Sequence, residues 1–82
     1  MSDDVRARVA ALFADVLQVE APAGDARRGT LDAWDSVSHF RLVMEVEQAF
    51  GIALGDAEVT EIETLADLQA LVERKLAAKG GA

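Results

Sequence analysis

Apolar residues recur at steps of three and four in three separate segments of this 82-residue chain, and that helical period constrains the fold more than any other feature. The composition agrees with it, because the chain has one proline, no tyrosine and only 5% aromatic residues. No cysteine is present, so disulfides cannot supplement a core of this modest size. We predict a single all-α domain over residues 1–79, with residues 80–82 as a flexible tail.

Local boundary signals divide the chain into four predicted helices, of which the third is short. Gly51 is a favoured helix stop after an apolar run. Thr64, followed three residues later by Asp67, approximates a capping box at the start of the last helix. The predicted helices run from Ser2 or Asp3 to Leu17, from Ser36 to Phe50, from Asp56 to Glu61, and from a Thr64 cap to the vicinity of Lys79.

The segment between the first two helices, residues 19–34, has no sustained period. Pro22 and Gly24 break any helix there. Sixteen residues make a long connection for so small a domain, and long loops are often functional or well packed. The alternative is a spacer that lets two helices cross. We expect three apolar residues to pin this loop to the helices: Val19, Leu31 and Trp34.

The net charge of −7, from 8 basic and 15 acidic residues, disfavours nucleic acid as a partner. It favours partners with basic patches, although negative charge can also serve solubility alone. The N-terminal residues are acidic where a signal peptide is basic, and no apolar run reaches membrane-spanning length. We therefore expect a cytoplasmic protein that binds no membrane.

Residues suited to catalysis or metal binding are scarce. His39 is the only histidine and lies three residues after Ser36, but nothing in the sequence completes a hydrolase site around the pair. We expect His39 to be a helix-packing or surface residue. The acidic residues lack metal-ligand spacing, so we predict no catalytic residue and no metal site.

Ser36 is the most suggestive residue, because it opens the second helix after Asp35 and a long loop. A hydroxyl at that position is exposed near the positive end of the helix dipole, where an attached phosphodiester would be stabilised. An Asp-Ser pair before an apolar helix is also a common cap. Both interpretations remain open from the dipeptide alone.

The second helix carries more apolar surface than a bundle helix needs to bury. Its core-facing side holds Val43, Val46 and Phe50. Further apolar residues widen the arc beyond half the circumference, so either a partner protein or the preceding loop with Trp34 must cover the surplus. These additional residues are Val37, Phe40 and Met44.

Four segments resemble the acyl carrier protein family, and the order and spacing of the helices match it over essentially the whole chain. The segments are Trp34-Asp35-Ser36-Val37, Leu42-Val43-Met44-Glu45-Val46-Glu47, Phe50-Gly51-Ile52 and Thr64-Leu65-Ala66-Asp67-Leu68. The resemblance implies a four-helix bundle with a short third helix and a monomeric state. It also implies that a magnesium-dependent phosphopantetheinyl transferase esterifies Ser36 with 4′-phosphopantetheine from coenzyme A.

In such a carrier the thiol of the arm holds the acyl group as a thioester, and acyl-loading and acyl-processing enzymes act on it while the chain makes no bonds itself. Asp35 would help to position the transferase, in addition to capping the helix. The resemblance makes the second helix the recognition helix, with partner contacts at Val37, Phe40, Met44 and Glu47. The residues expected to surround an acyl chain are Val46, Phe50, Ile62 and Leu68.

Some residues depart from the family pattern. Val37 replaces the more usual Leu after the serine, and Ser38 and Arg41 stand where fatty-acid carriers commonly have acidic residues. The Val37 change is similar in volume and keeps modification plausible, whereas Ser38, Arg41 and Trp34 favour a specialised pathway such as polyketide or modified-precursor assembly over fatty acid biosynthesis. The alternatives are a peptidyl or aminoacyl carrier with the same arm and an unmodified helical adaptor in which Ser36 is only a cap.

Overall fold

Helices form where the apolar period and the boundary residues predict them. The computed structural model describes residues 2–20 and 26–80, and it contains α1 at Ser2–Leu17, α2 at Ser36–Phe50, α3 at Asp56–Glu61 and α4 at Leu65–Gly80. The predicted all-α class with a short third helix is therefore confirmed. Helix α4 continues through Gly80, one residue into the segment predicted as a tail. Residues 81 and 82 lie outside the described residues.

The core forms where α1 packs against both α2 and α4. On α1, Val9, Phe13 and Leu17 are buried at four-residue steps, which places them on one helical face. Apolar residues from the connecting segments complete this core. Its buried members are Val9, Phe13, Leu17, Trp34, Leu42, Val46, Phe50, Ile62, Leu65, Leu68, Leu71 and Val72.

The helix ends are closed by the residues that the sequence indicated. Gly51 ends α2 in the left-handed conformation, with φ 64°, and its N–H donates to the carbonyl oxygen of Glu47. Lys79 Nζ donates to the Gly51 carbonyl oxygen at 2.7 Å, tying the end of α4 to the end of α2. At the start of α4, the Asp67 N–H donates to Thr64 Oγ1 at 3.0 Å and the Thr64 N–H donates to Asp67 Oδ2 at 3.1 Å. The predicted capping box is present.

The loop that precedes α2 is tied to the connection between α3 and α4. The Arg28 N–H donates to the Glu63 carbonyl at 2.7 Å, and the Leu65 N–H donates to the Ala26 carbonyl at 3.1 Å. Trp34, which is 1% exposed, meets the Phe13 ring edge-on at a centroid distance of 4.8 Å. The predicted role of Trp34 as a pin is thus visible in the packing. Pro22 and Gly24 lie outside the described residues.

Helix α3 buries none of its own residues, and polar contacts hold it in place. Lys75 Nζ lies 2.9 Å from Glu58 Oε1, and two further contacts reach the carbonyl oxygens of Val59 and Thr60. Ile62, directly after α3, is buried in the core. A helix fixed in this way depends on its polar partners more than α1, α2 or α4 does. Over residues 2–20 and 26–80, no helix is both long and apolar enough to cross a membrane.

Candidate functional site

Ser36 is the first residue of α2, and its side chain is exposed to solvent. Asp35, in an extended conformation, caps the helix: its Oδ1 accepts the Ser38 N–H at 2.9 Å, and its carbonyl oxygen accepts the His39 N–H at 2.8 Å. The Ser38 N–H stabilises the carboxylate and lowers the pKa of Asp35. Because Asp35 supplies the cap, the Ser36 hydroxyl is not needed for it. None of the side-chain hydrogen bonds within the described ranges uses Ser36 Oγ.

An open groove of about 470 Å³ lies between the loop that precedes α2 and the start of α2 at Ser36, and Glu63 of the α3–α4 connection also lines it. That volume lies within the range of about 300–1,000 Å³ typical of small-molecule sites. The groove contains both basic and acidic side chains. Its lining residues are Arg27, Arg28, Gly29, Trp34, Asp35, Ser36 and Glu63.

A buried chain of hydrogen bonds fixes Trp34, one of the residues that line the groove. Trp34 Nε1 donates to His39 Nδ1 at 2.9 Å, and His39 Nε2 lies 3.0 Å from the Val59 carbonyl oxygen. Since Nδ1 accepts, the proton of the neutral ring is on Nε2, which donates to Val59. Burial lowers the pKa of His39, the positive charge of Arg28 lowers it further, and the Val59 carbonyl partly opposes both effects.

The sequence predicted a helix-packing or surface histidine at position 39, and the structure places it inside, with 6% exposure. Sequence reasoning missed its two hydrogen bonds. The five-residue separation from Trp34 carries no helical contact signal, because Trp34 precedes the helix.

The surplus apolar arc of α2 remains uncovered. Val37, Phe40 and Met44 are 70%, 65% and 43% exposed, because Trp34 turns inward to Phe13 instead of covering them. They form a stripe that starts beside Ser36 and runs down one side of α2. The first turn of this helix holds no acidic residue. This stripe is a surface that a partner protein can contact.

Glu47, the fourth residue predicted to contact partners, has a second role. Its Oε2 accepts the Leu54 N–H at 2.8 Å, which anchors the segment between α2 and α3. The residue is only partly buried. The predicted partner contact and this structural contact therefore share one side chain.

The four residues expected to surround an acyl chain are all buried and belong to the same core. The guanidinium of Arg8 lies over the Phe50 ring at 4.6 Å and covers its outer face. These four residues do not line the groove that begins at Ser36. The structure thus brings them together with one another and separates them from the groove. They are Val46, Phe50, Ile62 and Leu68.

Comparison with known proteins identifies the family of this chain. Residues 7–72 match the phosphopantetheine attachment site family. The acyl carrier proteins of two strains of Treponema pallidum, one of them strain Nichols, are each 32% identical over 77 residues, covering 90% of this chain and 97% of their own length. The chain belongs to the acyl carrier protein family. The solution NMR structure of a holo acyl carrier protein from Geobacter metallireducens superposes with a TM-score of 0.82 at 26% identity, covering 94% of this chain and 91% of that one.

Membership of this family confirms the resemblance seen in the sequence and implies a covalently bound 4′-phosphopantetheine and a carrier role rather than a catalytic one. Acyl carrier proteins work with phosphopantetheinyl transferases and with biosynthetic enzymes. The residues present fit such an arm, because the exposed Ser36 lines a groove that also contains two arginines. When bound, the arm supplies a terminal thiol that holds acyl groups as thioesters. Among the described residues, no three His, Asp or Glu side chains group to hold a metal ion.

Proposed function

We propose that Ser36 carries the 4′-phosphopantetheine arm and that this carrier passes acyl groups between partner enzymes in the cytoplasm. The observation that supports this proposal most is that capping at the start of α2 does not involve Ser36. Asp35 supplies the cap, whereas the neighbouring Ser36 hydroxyl is exposed. A serine whose only function was capping would hold the position that Asp35 occupies.

The recognition surface in this proposal is the exposed stripe of α2. Val37, Phe40 and Met44 supply apolar contact area that no segment of the described chain covers, and Glu47 supplies a negative charge at its far end. Because the stripe begins beside Ser36, an enzyme docked on it has its active site within reach of the arm. Asp35, directly before the serine, is positioned to meet the transferase as well.

The carrier core is the proposed location for the acyl chain. Val46, Phe50, Ile62 and Leu68 form one continuous apolar cluster. Helix α3 contributes no buried residue of its own and is held by polar contacts, so it can move with less disturbance of the core than α1, α2 or α4. Movement of α3 is therefore the entry route that the packing favours.

A specialised pathway, polyketide-like or assembling a modified precursor, fits the surface of α2 better than general fatty acid biosynthesis. The first turn lacks acidic residues, and Arg41 places a positive charge on the exposed face. Both features change the charge pattern that a docking enzyme meets. A dedicated partner set follows from that difference.

Intact-mass analysis tests the attachment directly. The apo protein is incubated with coenzyme A, magnesium and a broad-specificity phosphopantetheinyl transferase, beside Ser36→Ala and the matched control Ser38→Ala. We expect addition of one phosphopantetheine to the wild type and to Ser38→Ala, and none to Ser36→Ala. No addition to the wild type by several competent transferases would favour the unmodified adaptor.

A second assay separates acyl cargo from amino-acid cargo. The holo protein is offered to acyl-loading enzymes and to amino-acid-activating ligases, and thioester formation is followed by mass. We expect loading with acyl groups. Exclusive loading with amino acids would instead identify a peptidyl or aminoacyl carrier.

A further inference from the structure

Arg28 differs from the other arginine of the Ser36 groove in how its charge is balanced. Arg27 Nη1 lies 2.9 Å from Glu63 Oε1, so a carboxylate neutralises it. Arg28 Nη2 donates to the Thr60 carbonyl oxygen at 2.9 Å, which is an uncharged acceptor. Within residues 2–20 and 26–80, no carboxylate forms an ion pair with Arg28. Its positive charge is therefore available to an anion in the groove.

The geometry of the guanidinium leaves donors for such an anion. An arginine carries five N–H donors in a planar fork, and the Thr60 carbonyl occupies a donor at Nη2 only. The backbone of Arg28 is fixed by its N–H donating to Glu63 at 2.7 Å. The side chain is thus held at both ends while it lines the groove together with Ser36. A fork positioned in this way is suited to phosphate oxygens.

The charge balance at Ser36 creates a need for such a cation. Asp35 is ionised, as its lowered pKa indicates, and it directly precedes the serine. A phosphodiester on Ser36 would place a second negative charge beside the first, which is unfavourable unless a positive group lies nearby. The field of Arg28 already reaches this region, because it helps to lower the pKa of His39, one turn along α2.

We propose that Arg28 binds the phosphodiester of the arm on Ser36 and holds the first link of the arm in the groove between the 26–34 loop and the start of α2. This inference rests on the proposed attachment at Ser36. It adds a subsite on the loop side of the serine. This subsite binds the phosphodiester, whereas the apolar stripe of α2 contacts partner enzymes. The arm then leaves the protein from a fixed starting direction instead of pivoting freely about Ser36 Oγ.

Nuclear magnetic resonance of the apo and holo forms tests the subsite, after intact mass has established that one phosphopantetheine is bound. In the wild type, we expect conversion to the holo form to shift the Nε–H signal of Arg28 and to leave that of Arg41 nearly unchanged. Arg41 is an exposed arginine on α2 that does not line the groove. An unshifted Arg28 signal would overturn the proposal.

Phosphorus relaxation in three holo variants gives an independent measurement. The phosphorus line should narrow in Arg28→Gln, because a released phosphodiester moves faster, and should narrow less in Arg28→Lys, which keeps the charge without the fork. Arg41→Gln removes the same charge outside the groove and should match the wild type.

Equal line widths in Arg28→Gln and the wild type would overturn the subsite while leaving attachment at Ser36 intact. Failure of the wild type to gain any mass would remove the attachment and the subsite together. If Arg28→Gln does not fold, the wild-type Nε–H shift alone decides.

Discussion

The indole N–H of Trp34 donates to Nδ1 of His39 at 2.9 Å, and the opposite nitrogen of the same ring reaches the Val59 carbonyl at 3.0 Å. One imidazole therefore joins the loop before Ser36, helix α2 and helix α3. Only the neutral ring with its proton on Nε2 can make both bonds, because a protonated ring has no acceptor for the indole. The arrangement around Ser36 thus depends on the protonation state of His39.

Stability should decrease as the pH falls below about 6.5, the ordinary pKa of histidine. Burial lowers the pKa of His39 in the folded protein, so the unfolded chain binds the proton more readily than the folded one. The contribution of His39 is complete above pH 6.5 and is lost as the pH falls towards the lowered folded-state value. The free energy of unfolding, measured by urea denaturation followed by circular dichroism between pH 7.5 and 5, checks this.

His39→Gln is the matched control for this pH dependence. Glutamine has an oxygen for the Trp34 N–H and an N–H for the Val59 carbonyl but does not titrate. The carboxyl groups with lowered pKa, those of Asp35 and Glu58, have ordinary values of 3.8 and 4.5 and titrate at lower pH. We expect the variant to show a flat profile between pH 7.5 and 5. An equally steep profile in the variant would assign the pH dependence to other groups.

Asp35→Ala should lower the free energy of unfolding, because alanine cannot cap the helix. The variant loses the Oδ1 acceptor of the Ser38 N–H. Asp35→Asn, which keeps an oxygen at that place, should lose less. Chemical denaturation of the three proteins measures the difference.

The same pair of variants separates capping from recognition by the transferase. If the negative charge of Asp35 helps to position that enzyme, Asp35→Asn should be modified at Ser36 more slowly although its helix cap remains. A modification rate equal to that of the wild type would restrict Asp35 to capping.

Phe40→Ala should change the free energy of unfolding by no more than about 0.5 kcal/mol, as is usual for exposed positions. Phe40 is 65% exposed on α2. Phe50→Ala, on the buried side of the same helix, should cost about 3–5 kcal/mol. Turnover by a partner enzyme should fall for Phe40→Ala despite its unchanged stability, and undiminished turnover would place Phe40 outside the recognition surface.

Glu47→Lys should lower the free energy of unfolding by about 1 kcal/mol, because the Leu54 N–H loses its acceptor. Glu47→Gln retains an oxygen and should be closer to the wild type. The exposed Glu45 offers a control for charge reversal, and Glu45→Lys should stay within about 0.5 kcal/mol. Partner turnover measured with Glu47→Gln then reports on recognition, since its stability is nearly preserved.

The helices could be predicted from the sequence because their signals are local. The apolar period, the Asp35 cap and the Gly51 stop each act within a few residues. The capping box joins Thr64 to Asp67, three residues later, and was predictable for the same reason. These contacts form wherever the chain becomes helical, independently of the rest of the fold.

The hydrogen bonds around Ser36 could not be predicted, because they join residues that are distant in the sequence. His39 is hydrogen-bonded to Val59, 20 residues away in the sequence, and Arg28 is hydrogen-bonded to Thr60, 32 residues away. Nothing in the sequence distinguishes Arg28, with an uncharged partner, from Arg27, with a carboxylate. The choice between covering the apolar stripe of α2 and leaving it exposed also depended on packing, since Trp34 could turn either outward or towards Phe13.

Trp34 is the only tryptophan of the chain, and its buried indole lies two residues before the serine proposed to carry the arm. The intrinsic fluorescence of the protein consequently has a dominant source at the place where we propose that loading and docking occur. An event that separates the indole from Phe13 and His39 should alter the wavelength maximum and the intensity of that emission. Any step of the proposed carrier cycle that moves this indole can thus be followed by fluorescence without attaching a dye.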